Sequence, residues 1–203
     1  MTRRPLLEGD LNPDPVGQFD AWFREAREAG IELAEAMALA TASAEGAPSV
    51  RMVLLKGFDE HGFVFYTGLE SRKARDLAEN TRAALLFYWS LLGRQVRVEG
   101  AVTPVARSEA EAYFATRPRG SQVGAWASRQ SEPLASRDQL EAAARAMTAR
   151  FEGGAVPLPA RWGGYRLLPD HYEFWQHRDD RLHDRLAFGQ TGAGRWRLER
   201  LAP

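Results

Sequence analysis

The sequence predicts a mostly β fold: an antiparallel barrel with helices packed outside it. Two observations carry that expectation. About eight short runs read as strands, most of them adjacent in sequence and separated by clusters of turn formers, which does not suit a doubly wound βαβ sheet. The 203 residues also show no internal repeat, low-complexity tract or linker-like shift in composition, so one core is expected.

Asp14 followed by Pro15 is an N-cap with proline at the first helical position. Val16, Phe19, Trp22, Phe23 and Ala26 recur at helical spacing and Gly30 supplies a stop. A helix over 15–29 follows, its aromatics facing the core. Residues 36–43, 49–58 and 63–67 are apolar or alternating, with turn formers at 44–48 and 59–62, and read as a meander of strands. Ser71 caps a short helix over 72–79. Two more strands, 83–89 and 95–105, are joined through Leu91, Leu92 and Gly93. Ser108-Glu109-Ala110-Glu111 reads as a capping box for a helix that ends before Pro118. Ser136-Arg137-Asp138-Gln139 opens another that runs to about Phe151 and stops at Gly153-Gly154. Residues 162–168, 172–176, 185–188 and 196–201 return to strand character.

Composition sets limits on function. With 44% hydrophobic and 27% charged residues the chain is of ordinary globular type. Its 27 basic and 27 acidic side chains cancel, which argues against a polyanion partner such as nucleic acid. The absence of cysteine excludes a disulfide scaffold, a thiolate nucleophile, an iron–sulfur cluster and the common structural zinc sites. No apolar run follows Arg3 and Arg4 and none reaches membrane-spanning length, so no signal peptide and no membrane are expected, and the cytoplasm is the default location. Of the 27 basic residues only Lys56 and Lys73 are lysines, leaving 25 arginines. Nucleotide bias accounts for most of that excess. The two retained lysines mark places where a compact charge suits better than a planar fork.

Neither a GxGxxG nor a GxxxxGK[ST] motif is present, so any phosphate must be held by side-chain cations and hydroxyls. Four clusters are candidates. Arg51 and Lys56 lie in the 49–58 run at opposite parity and leave opposite faces of a regular strand; paired cations and a solvated edge strand remain equal alternatives. Tyr66-Thr67 followed by Ser71-Arg72-Lys73 puts a hydroxyl and two cations at a helix start, either an anion site or a plain cap. Tyr113, Arg117, Arg119 and Ser121 fall in a stretch, 112–131, with three arginines and no acid; placed just past a helix end they form either a phosphate site or a solvated basic loop. Trp175-Gln176 precede Arg181-Leu182-His183-Asp184-Arg185, where Arg181, His183 and Arg185 share one face if the segment is a strand. His171, His177 and His183 recur every six residues, which matches no ligand spacing, so no metal site is read.

The strings Arg51-Met52-Val53-Leu54-Leu55-Lys56, Phe65-Tyr66-Thr67, Ser71-Arg72-Lys73, Arg94-Gln95-Val96-Arg97, Tyr113-Phe114, Arg117-Pro118-Arg119, Ser121 to Trp126, Gln130-Ser131, Trp162 to Tyr165, Glu173 to Gln176, Arg181 to Arg185 and the closing Arg200-Leu201-Ala202-Pro203 together resemble the pyridoxine (pyridoxamine) 5′-phosphate oxidase family, in order and from about Asp14 onward. The resemblance implies an FMN-binding split β-barrel over 14–203, preceded by a flexible arm over 1–13, and a homodimer with FMN at the subunit interface. It implies cofactor contacts from Arg51, Met52, Val53, Leu54, Leu55, Lys56, Tyr66, Thr67, Arg72, Lys73, Gln95, Gln130, Ser131, Trp175 and Arg185. It implies substrate contacts from Lys56, Tyr113, Arg117, Ser121, Arg181, Leu182 and His183, with Arg181 and His183 catalytic. The reaction implied is oxidation of pyridoxamine or pyridoxine 5′-phosphate to pyridoxal 5′-phosphate, with O2 reduced to H2O2. Members of the family often carry a longer basic and aromatic arm over the substrate, for which Arg3 and Arg4 are the substitutes this chain offers. The rival readings are a flavin or deazaflavin oxidoreductase with another substrate, a non-catalytic flavin or haem binder, and a barrel for single-stranded nucleic acid, which the neutral charge disfavours.

Overall fold

Helix α1 (Pro15–Glu28) forms where the capping residues place it. The Asp14 carboxylate accepts from the backbone N–H of Val16 and of Gly17. At the other end Gly30 takes φ +73°, Gly30 N–H donates to Arg27 O and Ile31 N–H to Ala26 O, the pair of bonds that a glycine in the left-handed region permits. The helix buries Phe19, Trp22 and Ala26, and Phe19 meets Phe58, Phe63 and Phe87 edge-on or tilted with ring centroids 4.8–4.9 Å apart. The computed structural model that shows this describes residues 5–192 and 194–203.

One antiparallel nine-stranded sheet, curled into a half-barrel, wraps this core. Its strands are β1 (Ala36–Ala42), β2 (Pro48–Leu54), β3 (Gly57–Asp59), β4 (Gly62–Gly68), β5 (Arg82–Trp89), β6 (Arg94–Pro104), β7 (Trp162–Gln176), β8 (Asp184–Gln190) and β9 (Trp196–Arg200). The order is β2-β1-β5-β6-β7-β4-β3, with β8 on β7 and β9 on β8. Helix α2 (Arg72–Glu79) links β4 to β5. Helices α3 (Arg107–Thr116), α4 (Arg119–Ala127) and α5 (Arg137–Arg150) fill the β6–β7 connection. They gather a second, smaller core of Phe114, Val123, Val156 and Trp162. The mostly β, split-barrel expectation holds. Among the described residues no helix is long and apolar enough to cross a membrane.

Several local readings are corrected. The 49–58 run is two strands. Leu55 turns into the core, its N–H bonding Glu35 O, and Lys56 N–H bonds Val64 O, so the chain leaves β1 and joins β4 at this point. A strand that changes partners must break, and the unbroken apolar run gives no sign of it. Runs 162–168 and 172–176 are instead one strand. Pro169, which lies between the two runs, sits at a bulge where the β6–β7 register shifts between Glu99 and Gly100, a site that tolerates a residue without an N–H. Gly100 is required there, because a Cβ would overlap the Leu168 carbonyl. Helix α3 begins at Arg107 with Ala106 at its N-cap and no side-chain cap, so Ser108 opens no capping box. Arg119 and Ser121 lie on α4, not in a loop past a helix end. Ser136 does cap α5, accepting from Gln139 N–H. Ahead of α1, Leu6 and Leu11 are buried and a 3-10 turn spans Glu8–Asp10; Arg3 and Arg4 lie outside the described residues.

Candidate active site

Between β2, β4, the start of α2 and helices α3 and α4 lies a cleft of about 1120 Å³. It brings together Arg51, Met52, Val53, Leu54, Lys56, Tyr66, Thr67, Arg72, Lys73, Tyr113, Arg117, Ser121, Gln130 and Ser131 from the residues singled out in the sequence. Arg51 and Lys56 share this cleft because the strand ends at Leu54, which removes the parity argument that separated them.

Lys73 is the centre of one part of the cleft. It is only 6% exposed. Its Nζ donates to Thr67 Oγ1 (3.0 Å), Gln130 Oε1 (3.2 Å) and Ser71 Oγ (3.4 Å), all neutral oxygens. Burial, and then the nearby Arg51 guanidinium, pull its pKa down to about 8. A buried ammonium without a carboxylate is costly, and it fits an anion. Gln130 Oε1 also accepts from Thr67 Oγ1 (2.9 Å) and Gly68 N–H (3.2 Å), so three donors converge on one oxygen. Arg72 N–H donates to Ser131 Oγ at 3.2 Å, with Ser131 at φ +74°. Ser71 does not use its hydroxyl as a helix cap. Arg51 is fixed by bonds to Thr41 Oγ1 (2.7 Å), Ser49 Oγ (2.7 Å) and Leu39 O (3.2 Å) and by Asp76 at 3.6 Å. Asp76 itself accepts from Thr41 Oγ1 at 2.6 Å.

A second part of the cleft is aromatic and cationic. Tyr66, Tyr113 and Trp162 lie near-parallel in a cluster, Tyr66 4.0 Å from Tyr113 and 5.4 Å from Trp162 with planes within 8° and 2°, and Tyr113 6.2 Å from Trp162. Burial, and then the charge of Glu109, push the Tyr66 hydroxyl up to about 12; burial also raises Tyr113. The Arg117 guanidinium lies 4.8 Å from the Trp162 ring, its basicity lowered by burial. Its buried Nη1 has no hydrogen-bond partner among the described residues.

The other predicted residues are not in this cleft. Leu55 is core. Gln95, Trp175 and Arg185 stand side by side across β6, β7 and β8. The Trp175 and His183 rings are 4.6 Å apart. Arg185 grips Glu173 through both carboxylate oxygens (2.7 and 3.1 Å). Burial pushes the Glu173 carboxyl up, but Arg185 and Arg97 outweigh it and hold it below the usual carboxylate range. Arg181 and Leu182 are exposed. The expectation that Arg181, His183 and Arg185 share a strand face is corrected: Asp179–Arg181 is a 3-10 turn and β8 starts at Asp184. Two left-handed residues in succession, Asp180 and Arg181, break the strand period.

Sequence reasoning missed Ser49, Glu70, Ser128 and Arg161 in the cleft wall and the buried acids Asp76 and Glu173. The acids had one available signal: each is an anion where burial of neighbouring cations requires one.

Residues 23–151 match the family model described as pyridoxamine 5′-phosphate oxidase, and residues 162–203 match the model described as the pyridoxine 5′-phosphate oxidase C-terminal dimerisation region. A pyridoxine/pyridoxamine 5′-phosphate oxidase of Rubrobacter xylanophilus is 57% identical, covering 100% of this chain and 93% of its own. One of Paraburkholderia phymatum is 53% identical, covering 96% and 91%. Among solved structures, PhzG from Burkholderia lata in complex with tetrahydrophenazine-1-carboxylic acid superposes with TM-score 0.93 at 34% identity, covering 100% of both chains. An FMN-binding protein of Nostoc punctiforme shares the fold with TM-score 0.75 at 17% identity, covering 96% and 99%. The chain is an oxidoreductase that belongs to the pyridoxamine 5′-phosphate oxidase family, and its C-terminal strands match that family's dimerisation region.

Proposed function

We propose that the chain is a homodimeric FMN-dependent oxidase that converts pyridoxamine or pyridoxine 5′-phosphate to pyridoxal 5′-phosphate, with O2 as electron acceptor, H2O2 as by-product and ammonia released from the amine. The observation that carries this reading is the presence of two cationic groups in one cleft, each short of an anion. Among the described residues Lys73 bonds only neutral oxygens and the buried Nη1 of Arg117 has no partner. Two phosphate monoesters, one on the cofactor and one on the substrate, answer both.

Lys73, Arg72, Thr67, Gln130 and Ser131 hold the FMN phosphate, and Arg51 to Lys56 with Tyr66 flank the rest of the cofactor. Arg117, Ser121, Tyr113 and Lys56 hold the substrate phosphate, the guanidinium bonding two of its oxygens at once. FMN, when bound, supplies the two-electron acceptor for hydride from the substrate carbon. Arg181, Leu182 and His183 press the pyridine ring into place and steady charge as hydride leaves. Because these three, with Gln95, Trp175 and Arg185, do not line the cleft of their own chain, the second subunit supplies them; the match to a dimerisation region over 162–203 supports this.

The likeness to PhzG favours a second reading, oxidation of a reduced tricyclic carboxylic acid. One anaerobic experiment separates the two. The yellow enzyme is expected to bleach with pyridoxamine 5′-phosphate and to recolour in air. Bleaching only by a reduced phenazine carboxylate, or only by NADPH, overturns the oxidase reading.

A further inference from the structure

The turn that carries Arg181 and His183 is held from outside itself. His183 Nδ1 accepts from Arg178 N–H at 3.1 Å. In the neutral ring the hydrogen therefore sits on Nε2, which is left as a donor. Asp180 and Arg181 are both left-handed (φ +55° and +61°), a conformation that L side chains keep only where their surroundings enforce it. The enforcement comes at Asp184. Its Oδ2 accepts from Leu6 N–H at 3.0 Å and its Oδ1 from Arg200 Nη1 at 2.9 Å; Arg178 Nε lies 3.7 Å from Oδ2. Arg200 in turn grips both Glu8 carboxylate oxygens (2.8 and 2.9 Å) and donates to Leu6 O at 2.9 Å.

We propose that residues 6–8 are a strap which, through Arg200 and Asp184, positions the Arg181–His183 turn for turnover, with Glu8 and Asp184 as positioning residues. The proposal rests on the reading of Arg181 and His183 as substrate-facing. The Glu8–Arg200 pair is at the surface, where an ion pair adds little to global stability. A short turn with few buried contacts is a different case, since it opens locally and one clasp decides how often. Glu8 and Asp184 do not line the cleft of their own chain; their bonds run to Leu6, Arg178 and Arg200.

The test uses the full-length FMN-loaded enzyme with Glu8→Gln and Asp184→Asn. Expected are a fall in kcat/KM for pyridoxamine 5′-phosphate of about threefold and about tenfold respectively, unchanged FMN content, and faster hydrogen exchange in the 177–183 peptide with that of β6 and β7 unmoved. In an Arg181→Ala background each substitution should reduce turnover by less than it does in the parent enzyme, because part of what the turn positions is already gone. Unchanged exchange in both variants overturns the strap, as does a full additive loss on top of Arg181→Ala. Near-normal turnover of Arg181→Ala overturns instead the assignment of the turn, and the exchange rates alone then decide the strap. Glu8→Gln keeps the test readable if Asp184→Asn fails to fold, because Glu8 is exposed.

Discussion

Lys73 shows how a single residue reports the chemistry of the cleft. Its ammonium titrates near pH 8 in the ligand-free chain against 10.5 for an ordinary lysine, because burial disfavours the charge and Arg51 adds to the effect. The folded chain therefore gives up this proton before the unfolded one does, and ligand-free stability rises as pH climbs from 8 to 10.5. With Lys73 on the FMN phosphate, as proposed, FMN binding is expected to have the opposite trend: affinity falls above pH 8 as the cation is lost, and fluorescence titration from pH 6.5 to 9.5 reads it. Lys73→Met is expected to weaken FMN by roughly 10- to 100-fold, the worth of a charged hydrogen bond to phosphate. Lys73 was legible in advance because a chain writing 25 arginines kept lysine at only two positions, both in this cleft. Asp76 was missed in the sequence, and Gln130 was legible only in part. The burial of an acid on a helix of mixed charge has no spacing signature, and the role of Gln130 came from family resemblance.

At the scale of elements, legibility followed the strength of local signals. Helix α1 has a cap, a proline and a glycine stop, each with its own bond in the structure, so both ends fell close to where the sequence put them. Helix α4, in Arg119-Gly120-Ser121-Gln122-Val123-Gly124, carries two glycines and one buried residue, so nothing periodic announces it; the second core, not propensity, holds it. Long-range pairing likewise decided where the 49–58 run breaks and where β7 continues through Pro169. Gly100 at the bulge gives a direct test. Gly100→Ala is expected to cost at least about 2 kcal/mol, since backbone rather than a flexible side chain blocks the new methyl. Urea denaturation measures it, and an unchanged midpoint would show that the bulge relaxes.

For the whole molecule, the division of the predicted residues into two groups is the main result. One group lines the cleft; the other sits on β6, β7, β8 and the turn before β8. The order of motifs along the chain cannot show that, because sequence does not say which copy a residue serves. If each site draws on both subunits, Lys73→Met and Arg181→Ala chains, each poorly active at limiting FMN, regain activity there when unfolded together and refolded as mixed dimers. Each mixed dimer then has about one intact site. No recovery, with mixed dimers demonstrated by tagged purification, would place each complete site in one chain. The zero net charge acquires a local meaning as well, since Arg51, Lys56, Arg72, Lys73 and Arg117 are collected in the cleft while the carboxylates Asp76 and Glu173 stay buried behind their arginines.

Strand β7 also has a consequence for how the chain comes to be folded. It pairs with β4, about a hundred residues earlier, and from Tyr165 to Gln176 with β6. During synthesis from the N-terminus, both partners emerge long before it does. Phe63, Phe65, Val96 and Val98, all fully or almost fully buried in the finished sheet, wait on open edges until residues 162–176 are made. Contacts so distant in sequence slow the closing step, and edges that stay open are where chains adhere to one another. The nascent chain is thus most vulnerable to aggregation in the interval before its seventh strand arrives.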